Sequence, residues 1–278
     1  MERYMDLLNK LIPGMSSEEY FKAPDYWHSS DIKSVGQSIN HFEKKDQQKI
    51  TDGLKDGQGG HTVLLEMENF NDRYTVMPKV DARTKAGREQ KELASEKAHQ
   101  EGKILVNQED FTKWLEWKDN IHNDPIISGL FLNNKGKNEI SGFFKHPTIK
   151  DIKGCFRADK LLEDQELCID LKFMLSAHPK AFEHSIRKYR YDIQASWYLD
   201  GLKAITGKDF DFLFVVCEKS FPFNVQTYRL DDETLEKGRD DTRVFLEYYK
   251  KYLTSPLEEQ KRLRGYYNGI QTLHVNWY

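Results

Sequence analysis

Two acids and a lysine stand close together in Arg157-Ala158-Asp159 and Asp170-Leu171-Lys172, and Gln194-Ala195-Ser196-Trp197-Tyr198 follows. Carboxylates brought near one another repel unless a cation sits between them, and hard oxygen ligands suit Mg²⁺ or Mn²⁺. A lysine beside such an ion would hold or help deprotonate an attacking water and offset charge building up on a phosphorane. These are the residue types that metal-dependent phosphodiester hydrolysis needs.

The elements that must position them are partly legible. In Glu166–Phe173, Leu167, Ile169, Leu171 and Phe173 take one face of a strand, and Cys168, Asp170 and Lys172 take the other. Asp170 and Lys172 then point the same way, about 7 Å apart. Lys153–Asp159 also reads as extended, and a turn rich in Glu163, Asp164 and Gln165 joins the two strands as a hairpin, so Asp159 and Asp170 meet on neighbouring strands. Gln194 and Tyr198 share one face of a helix, joined by Tyr191. A helical segment ahead of them carries Lys180, His184, Arg187, Lys188 and Arg190, a cluster able to track a phosphate backbone. The competing account of Asp-x-Lys on a strand is a solvated face.

Taken together, Arg157-x-Asp159, Asp170-x-Lys172 and Gln194-x-x-x-Tyr198 resemble in order and spacing the RecE (exodeoxyribonuclease VIII) branch of the PD-(D/E)XK nuclease superfamily. The resemblance implies an α/β (α+β) fold, with a central mixed sheet flanked by helices. It implies a catalytic group of Asp159, Asp170, Lys172, Gln194 and Tyr198. It also implies metal ligation by His61, Glu139, Asp159, Asp170 and Leu171, with two Mg²⁺ (or Mn²⁺) ions per site. His61 lies in Gly57–Glu66, which with Phe70 matches the family's Gly-x-x-x-His segment. Gly59 and Gly60 each cost about 1 kcal/mol relative to Ala inside a helix, which favours a helix start at His61. A loop histidine in a glycine-rich turn is the alternative. Glu139 opens Glu139–Phe144, which looks like the strand preceding that of Asp159; a solvent-facing glutamate competes with that reading. Pro78–Gly87 resembles the family's Arg-Thr-Lys-x-Gly element near the entry of the DNA channel, with Arg83 and Lys85 on phosphates. The alternative is the start of a charged surface helix. Arg157, Lys180 and Arg187 complete the DNA-binding set.

The activity so implied is Mg²⁺-dependent exodeoxyribonuclease action on double-stranded DNA ends. One strand would be degraded from its 5′ end, leaving a 3′ single strand for an annealing recombinase. Gln194 and Tyr198 would steady Lys172 or the scissile phosphate. A ring-shaped homo-oligomer enclosing DNA is implied as well, without sequence specificity. Two other readings stay open. One is a different nuclease of the superfamily, an endonuclease or one acting on branched or single-stranded DNA; the other is a non-catalytic DNA-binding module, which has no reason to keep two mutually repelling acids.

Composition sets limits. With 278 residues and 38% hydrophobic content, one core can be buried, and the reading is a single domain. Residues 1–55 form its helical and loop part, and residues 56–278 the nuclease core with a charged insertion at about 79–103. No apolar run approaches the roughly 18 residues that cross a bilayer, and Met1-Glu2-Arg3-Tyr4 opens no signal core, so a cytoplasmic protein is expected. Cys155, Cys168 and Cys217 read as reduced core thiols that cannot build a four-thiolate cluster, unlike related nucleases with an iron-sulfur centre. A net charge of −3 and a pI near 6.3 require uneven charge, with basic clusters at Arg83–Arg88 and Lys180–Arg190. Ser29 or Ser30 is the expected N-cap before Asp31-Ile32-Lys33, and the helix of Gln194 is expected to end at Asp200-Gly201. Phe210–Cys217 reads as a buried strand beside the hairpin and Asp241–Tyr252 as an amphipathic helix. Tyr266–Leu273 resembles the family's carboxyl-terminal tail.

Overall fold

The computed structural model describes residues 7–45, 52–81, 83–131 and 136–266; the tail from 267 onward lies outside them. A mixed six-stranded sheet organises the chain in the order β1-β4-β5-β6-β7-β8. Its strands are β1 (Lys10–Ile12), β4 (Lys137–Lys145), β5 (Lys153–Leu162), β6 (Leu167–Met174), β7 (Asp211–Glu218) and β8 (Val225–Tyr228). Among the described strands of this sheet, β6 and β7 pair in parallel and the other neighbours are antiparallel. A separate parallel pair, β2 (Tyr74–Val76) and β3 (Ile104–Val106), is connected by the charged insertion, which folds as the polar helix α6 (Lys85–Gln100).

The hairpin forms as the alternation predicts, with a tight turn at Glu163–Gln165 between β5 and β6. Phe210–Cys217 supplies β7, aligned with β6 from Leu167↔Asp211 to Met174↔Glu218. Both faces of β7 are covered. Phe212, Phe214 and Val216 join one core cluster; Leu213, Val215 and Cys217 join another with Leu167, Ile169 and Leu171. On the first face lie α2 (Ser29–Gln37), α10 (Tyr191–Thr206) and α11 (Asp232–Thr254). On the second lie α4 (Asp52–Leu65) and α7 (Gln108–Asn123), which contribute Val63, Trp114 and Trp117. The other α-helices of the described residues, apart from α6, are α1 (Ser17–Phe21), α3 (Ile39–Glu43), α5 (Phe70–Arg73), α8 (Ser128–Phe131), α9 (Pro179–Tyr189) and α12 (Leu257–Leu263).

Several boundaries differ from expectation for identifiable reasons. The N-terminal part, expected as helices and loops, also supplies a strand, because β1 pairs with β4. The N-cap of α2 is His28, not Ser29 or Ser30, and Asp31 accepts a hydrogen bond from the His28 N–H at 3.1 Å. Helix α4 runs through Gly59 and Gly60 instead of starting at His61. A Cβ on Gly59 would meet the Trp114 ring at 2.1 Å, and one on Gly60 the Phe173 ring at 2.5 Å, so tertiary packing requires the two glycines. Helix α10 continues past Gly201, which packs against Phe144, to a left-handed cap at Gly207 (φ +73°). Helix α11 begins earlier than Asp241, at the N-cap Asp231, whose carboxylate accepts from the Thr234 N–H at 2.8 Å.

The two central antiparallel strands change face near the start of β4 and the end of β5. Glu139 adopts a left-handed backbone (φ +51°) between the register pairs Asn138↔Lys160 and Ile140↔Ala158. Its neighbours part: the Asn138 amide donates to the Leu65 carbonyl at the end of α4, while Ile140 packs into the opposite core. Ala158 and Leu161, three apart, likewise face the same core, so β5 also loses its alternation at Asp159–Lys160. Pairing of β5 with β6 stops at Lys160↔Ile169, and the two strands separate beyond it.

Candidate active site

The separation opens a cleft at the point where the acids stand. Asp159 turns its Oδ2 across the gap and accepts the Leu171 N–H at 2.6 Å, replacing the strand bond that is lost. Helix α4 delivers His61 from one face. Its Nδ1 is 3.2 Å from Glu139 Oε1 and 3.6 Å from Asp159 Oδ1. Arg157 Nε donates to Glu139 Oε2 at 2.6 Å, and Arg157 Nη1 to the Met15 carbonyl at 2.7 Å, anchoring Glu139 from behind. Ligand atoms of His61, Glu139 and Asp159 all lie within 4.8 Å of one another. From the other face, helix α10 sends Gln194 Nε2 to Asp170 Oδ1 at 2.5 Å. Asp170 Oδ2 is buried, faces the Lys172 ammonium as an ion pair and takes no directed hydrogen bond.

Burial and charge pull these groups apart in proton affinity. Burial raises Asp159 to about 7, with Asp170 and Glu139 adding to the rise and His61 opposing it. Glu139 moves the other way: burial opposes, but His61 and Arg157 hold it down to about 2. Against its own burial, His61 is drawn up to about 9 by Asp159 and Glu139. Lys172 is raised despite burial, chiefly by Asp170, and its ammonium lies 4.7 Å from the centre of the Tyr191 ring. Crowded carboxylates, an imidazole and an underbonded buried oxygen are the donor set that a divalent cation satisfies. The residues present fit such an ion.

A family model described as PDDEXK-like domain of unknown function (DUF3799) matches residues 28–260. The chain belongs to this family. It is therefore a member of the PD-(D/E)XK nuclease superfamily, with the mixed sheet and flanking helices that the resemblance implies. A solved protein of Eubacterium rectale assigned as an exonuclease has the same fold, with a TM-score of 0.60 at 14% identity over 85% of each chain. A phage-related exonuclease from Haemophilus somnus covers 82% of this chain and 95% of its own at 14% identity, with a TM-score of 0.30. An alkaline exonuclease from Laribacter hongkongensis covers 88% and 97% at 14% identity, also with a TM-score of 0.30. These last two superpositions are too loose to inform the site. No curated protein matches.

In this PD-(D/E)XK family member the remaining expected site residues fall into two groups. Leu171 stands between Asp170 and Lys172 with its side chain in the core of the opposite face, so its main-chain carbonyl is the only oxygen it could offer an ion. Tyr198 is buried behind the cleft, its ring 5.2 Å from Phe156 of β5 and 5.8 Å from Phe212 of β7. It bridges β5 and β7 from behind, and the rings facing the Lys172 ammonium are those of Tyr191 and Phe214. Arg83 and Lys85 lie at the exposed start of α6, paired with Asp81 and Glu89. There Thr84 caps the helix, and Gly87 is required because a Cβ would meet the Asp81 carbonyl at 2.0 Å. Lys180 and Arg187 sit on the exposed face of α9, whose inner face buries Phe182, and Arg187 pairs with Glu183. No helix of the described residues is long and apolar enough to cross a membrane.

One site residue escaped the sequence patterns. Lys33 of α2 donates to Gln194 Oε1 at 3.2 Å, and its ammonium is 5.5 Å from the Tyr191 ring centre. Burial, and then the charge of Lys172, bring Lys33 down to about 7. No spacing rule relates Lys33 to residues far along the chain. The only signal was a lysine between the buried Ile32 and Val35 of a short helix.

Proposed function

We propose that this chain is a Mg²⁺-dependent exodeoxyribonuclease that acts on double-stranded DNA ends. The observation carrying the proposal is the convergence of His61, Glu139 and Asp159 within 4.8 Å beside the Asp170–Lys172 pair. His61, Glu139, Asp159, Asp170 and the Leu171 carbonyl would hold two Mg²⁺ or Mn²⁺ ions. The chemistry supplied by bound metal is acidification of a water and neutralisation of phosphate charge. Lys172, kept fully cationic by Asp170, orients that water and offsets charge on the phosphorane. Gln194 fixes the Asp170 carboxylate, while Tyr198 supports both from behind. Arg83, Lys85, Lys180 and Arg187 are exposed cations suited to phosphate contact, and Arg157, held by Glu139 and the Met15 carbonyl, keeps further N–H groups for phosphate.

The finer reading is 5′-to-3′ removal of one strand by a ring-shaped homo-oligomer in the cytoplasm, with the 3′ overhang passing to a single-strand annealing recombinase. End-labelled linear duplex and covalently closed circular duplex, each digested with and without Mg²⁺, test metal need, end dependence and polarity together. The expected result is loss of 5′ label from linear duplex with Mg²⁺ only, and an intact circle. A circle cut as fast as the linear duplex would overturn the exonuclease reading.

A further inference from the structure

Lys33 is the base of a relay through the site. Its ammonium contacts Gln194 Oε1 at 3.2 Å, Gln194 Nε2 contacts Asp170 Oδ1 at 2.5 Å, and Asp170 Oδ2 faces Lys172. Lys33 Nζ donates to the amide oxygen and a carboxylate only accepts, so the primary amide between them is held with oxygen toward Lys33 and NH₂ toward Asp170. Among the described residues no carboxylate pairs with Lys33; its polar partner is an amide and its other neighbour an aromatic ring. Placing a second ammonium around the ring that already faces Lys172 is electrostatically costly, and such arrangements concentrate at functional sites.

We propose that Lys33 is a positioning residue of the nuclease site, which pins the far end of the Gln194 amide and so fixes the rotation of the Asp170 carboxylate. A glutamine side chain turns about three bonds, and its hydrogen bond to Asp170 alone leaves the amide free to swing. The ammonium removes that freedom and polarises the amide, which strengthens donation from its NH₂ group. With Oδ1 held in this way, Asp170 keeps its buried Oδ2 directed at Lys172. Through Lys33, helix α2 becomes part of the site although it touches neither Asp159 nor His61 by any polar contact among the described residues.

The kinetic part of the test rests on the proposed nuclease activity, whereas its spectroscopic part does not. In metal-free protein, the side-chain NH₂ resonances of Gln194 are expected to be separated and sharp. In K33M, which keeps the aliphatic stem without the donor, they should broaden or move toward free-amide positions, and K33R should restore them. Unchanged Gln194 resonances in K33M would overturn the proposal. With DNA and Mg²⁺, K33M should lower kcat about tenfold with KM nearly unchanged, as loss of a supporting partner does. In a Q194A background K33M should then have no further effect. Independent, multiplying losses, or a rise in KM alone, would also overturn it, since Lys33 would then act directly on DNA. Absence of Mg²⁺-dependent hydrolysis in the unmodified protein would instead defeat the nuclease reading, leaving the resonances to decide the role of Lys33.

Discussion

Two histidines in this protein each stand beside a carboxylate, and they respond in opposite ways. His61 faces Glu139 and Asp159 and is drawn up to about 9. His146 has Nε2 at 3.8 Å from Asp200, yet burial, then Arg243 and Arg239, push it down to about 4. The difference lies in who else is present. Asp200 already accepts from Arg239 at 2.9 Å, and His146 Nδ1 accepts the Ile149 N–H at 3.1 Å, so a neutral ring completes a satisfied corner. Around His61 the acids outnumber the fixed cations, since Glu139 is the acid that Arg157 serves, while Asp159 accepts a backbone N–H. A balanced pair is structural; an unbalanced one is poised for a cation.

That contrast can be broken most severely at the acid and lysine that complete the unbalanced side. Asp170→Asn or Lys172→Ala is expected to lower Mg²⁺-dependent hydrolysis by about a thousandfold or more while the circular dichroism spectrum stays native. Single-turnover digestion of labelled duplex measures it. Next, His61→Ala or Glu139→Gln should weaken Mn²⁺ binding about 10- to 100-fold, read by calorimetry, with excess metal restoring part of the rate. His146→Gln should leave metal affinity untouched; an equal loss there would erase the distinction.

Moving His61 without changing its charge sharpens the point. Gly60→Ala forces a methyl against Phe173, and a stability loss of about 3 kcal/mol is expected in urea unfolding, with weaker metal binding as a consequence. The smallest effect concerns His146. Its folded pKa lies below its unfolded value, so its contribution is present above about 6.5 and is lost as pH falls toward about 4. Metal-free protein should lose about 2 kcal/mol from this group between pH 7 and pH 5. His146→Gln should flatten that part of the denaturation profile.

The hairpin, β7, the shared face of Gln194 and Tyr191, and the acid pair were legible because period-two and period-3.6 patterns act locally. What local patterns do not encode is what one element demands of another. Gly59 and Gly60 argue against a helix when read alone and are needed for one once Trp114 and Phe173 press on it. Strand alternation predicts a smooth β4, whereas the left-handed backbone of Glu139 reverses its faces and turns that carboxylate toward His61. β1, with three residues, is too short to show a pattern, and Lys33 meets Gln194 only because α2 and α10 pack on the same side of the sheet. Tyr198 shows the converse: helix spacing put it with Gln194, but its ring is enclosed by Phe156 and Phe212.

The Tyr198 ring is in effect a spacer. β5 travels with β4 and β6 with β7, so the sheet is two blades joined at the Glu163–Gln165 turn, with one acid on each blade. Helix α10 holds both, through the Trp197 Nε1–H donated to the Cys155 carbonyl at 3.0 Å, the Tyr198 ring between Phe156 and Phe212, and Gln194 on Asp170. The opening between Asp159 and Asp170 is thus set by the thickness of aromatic rings that never meet substrate. Substitutions deep in that layer would retune which ions the cleft accepts while every ligand remained in place.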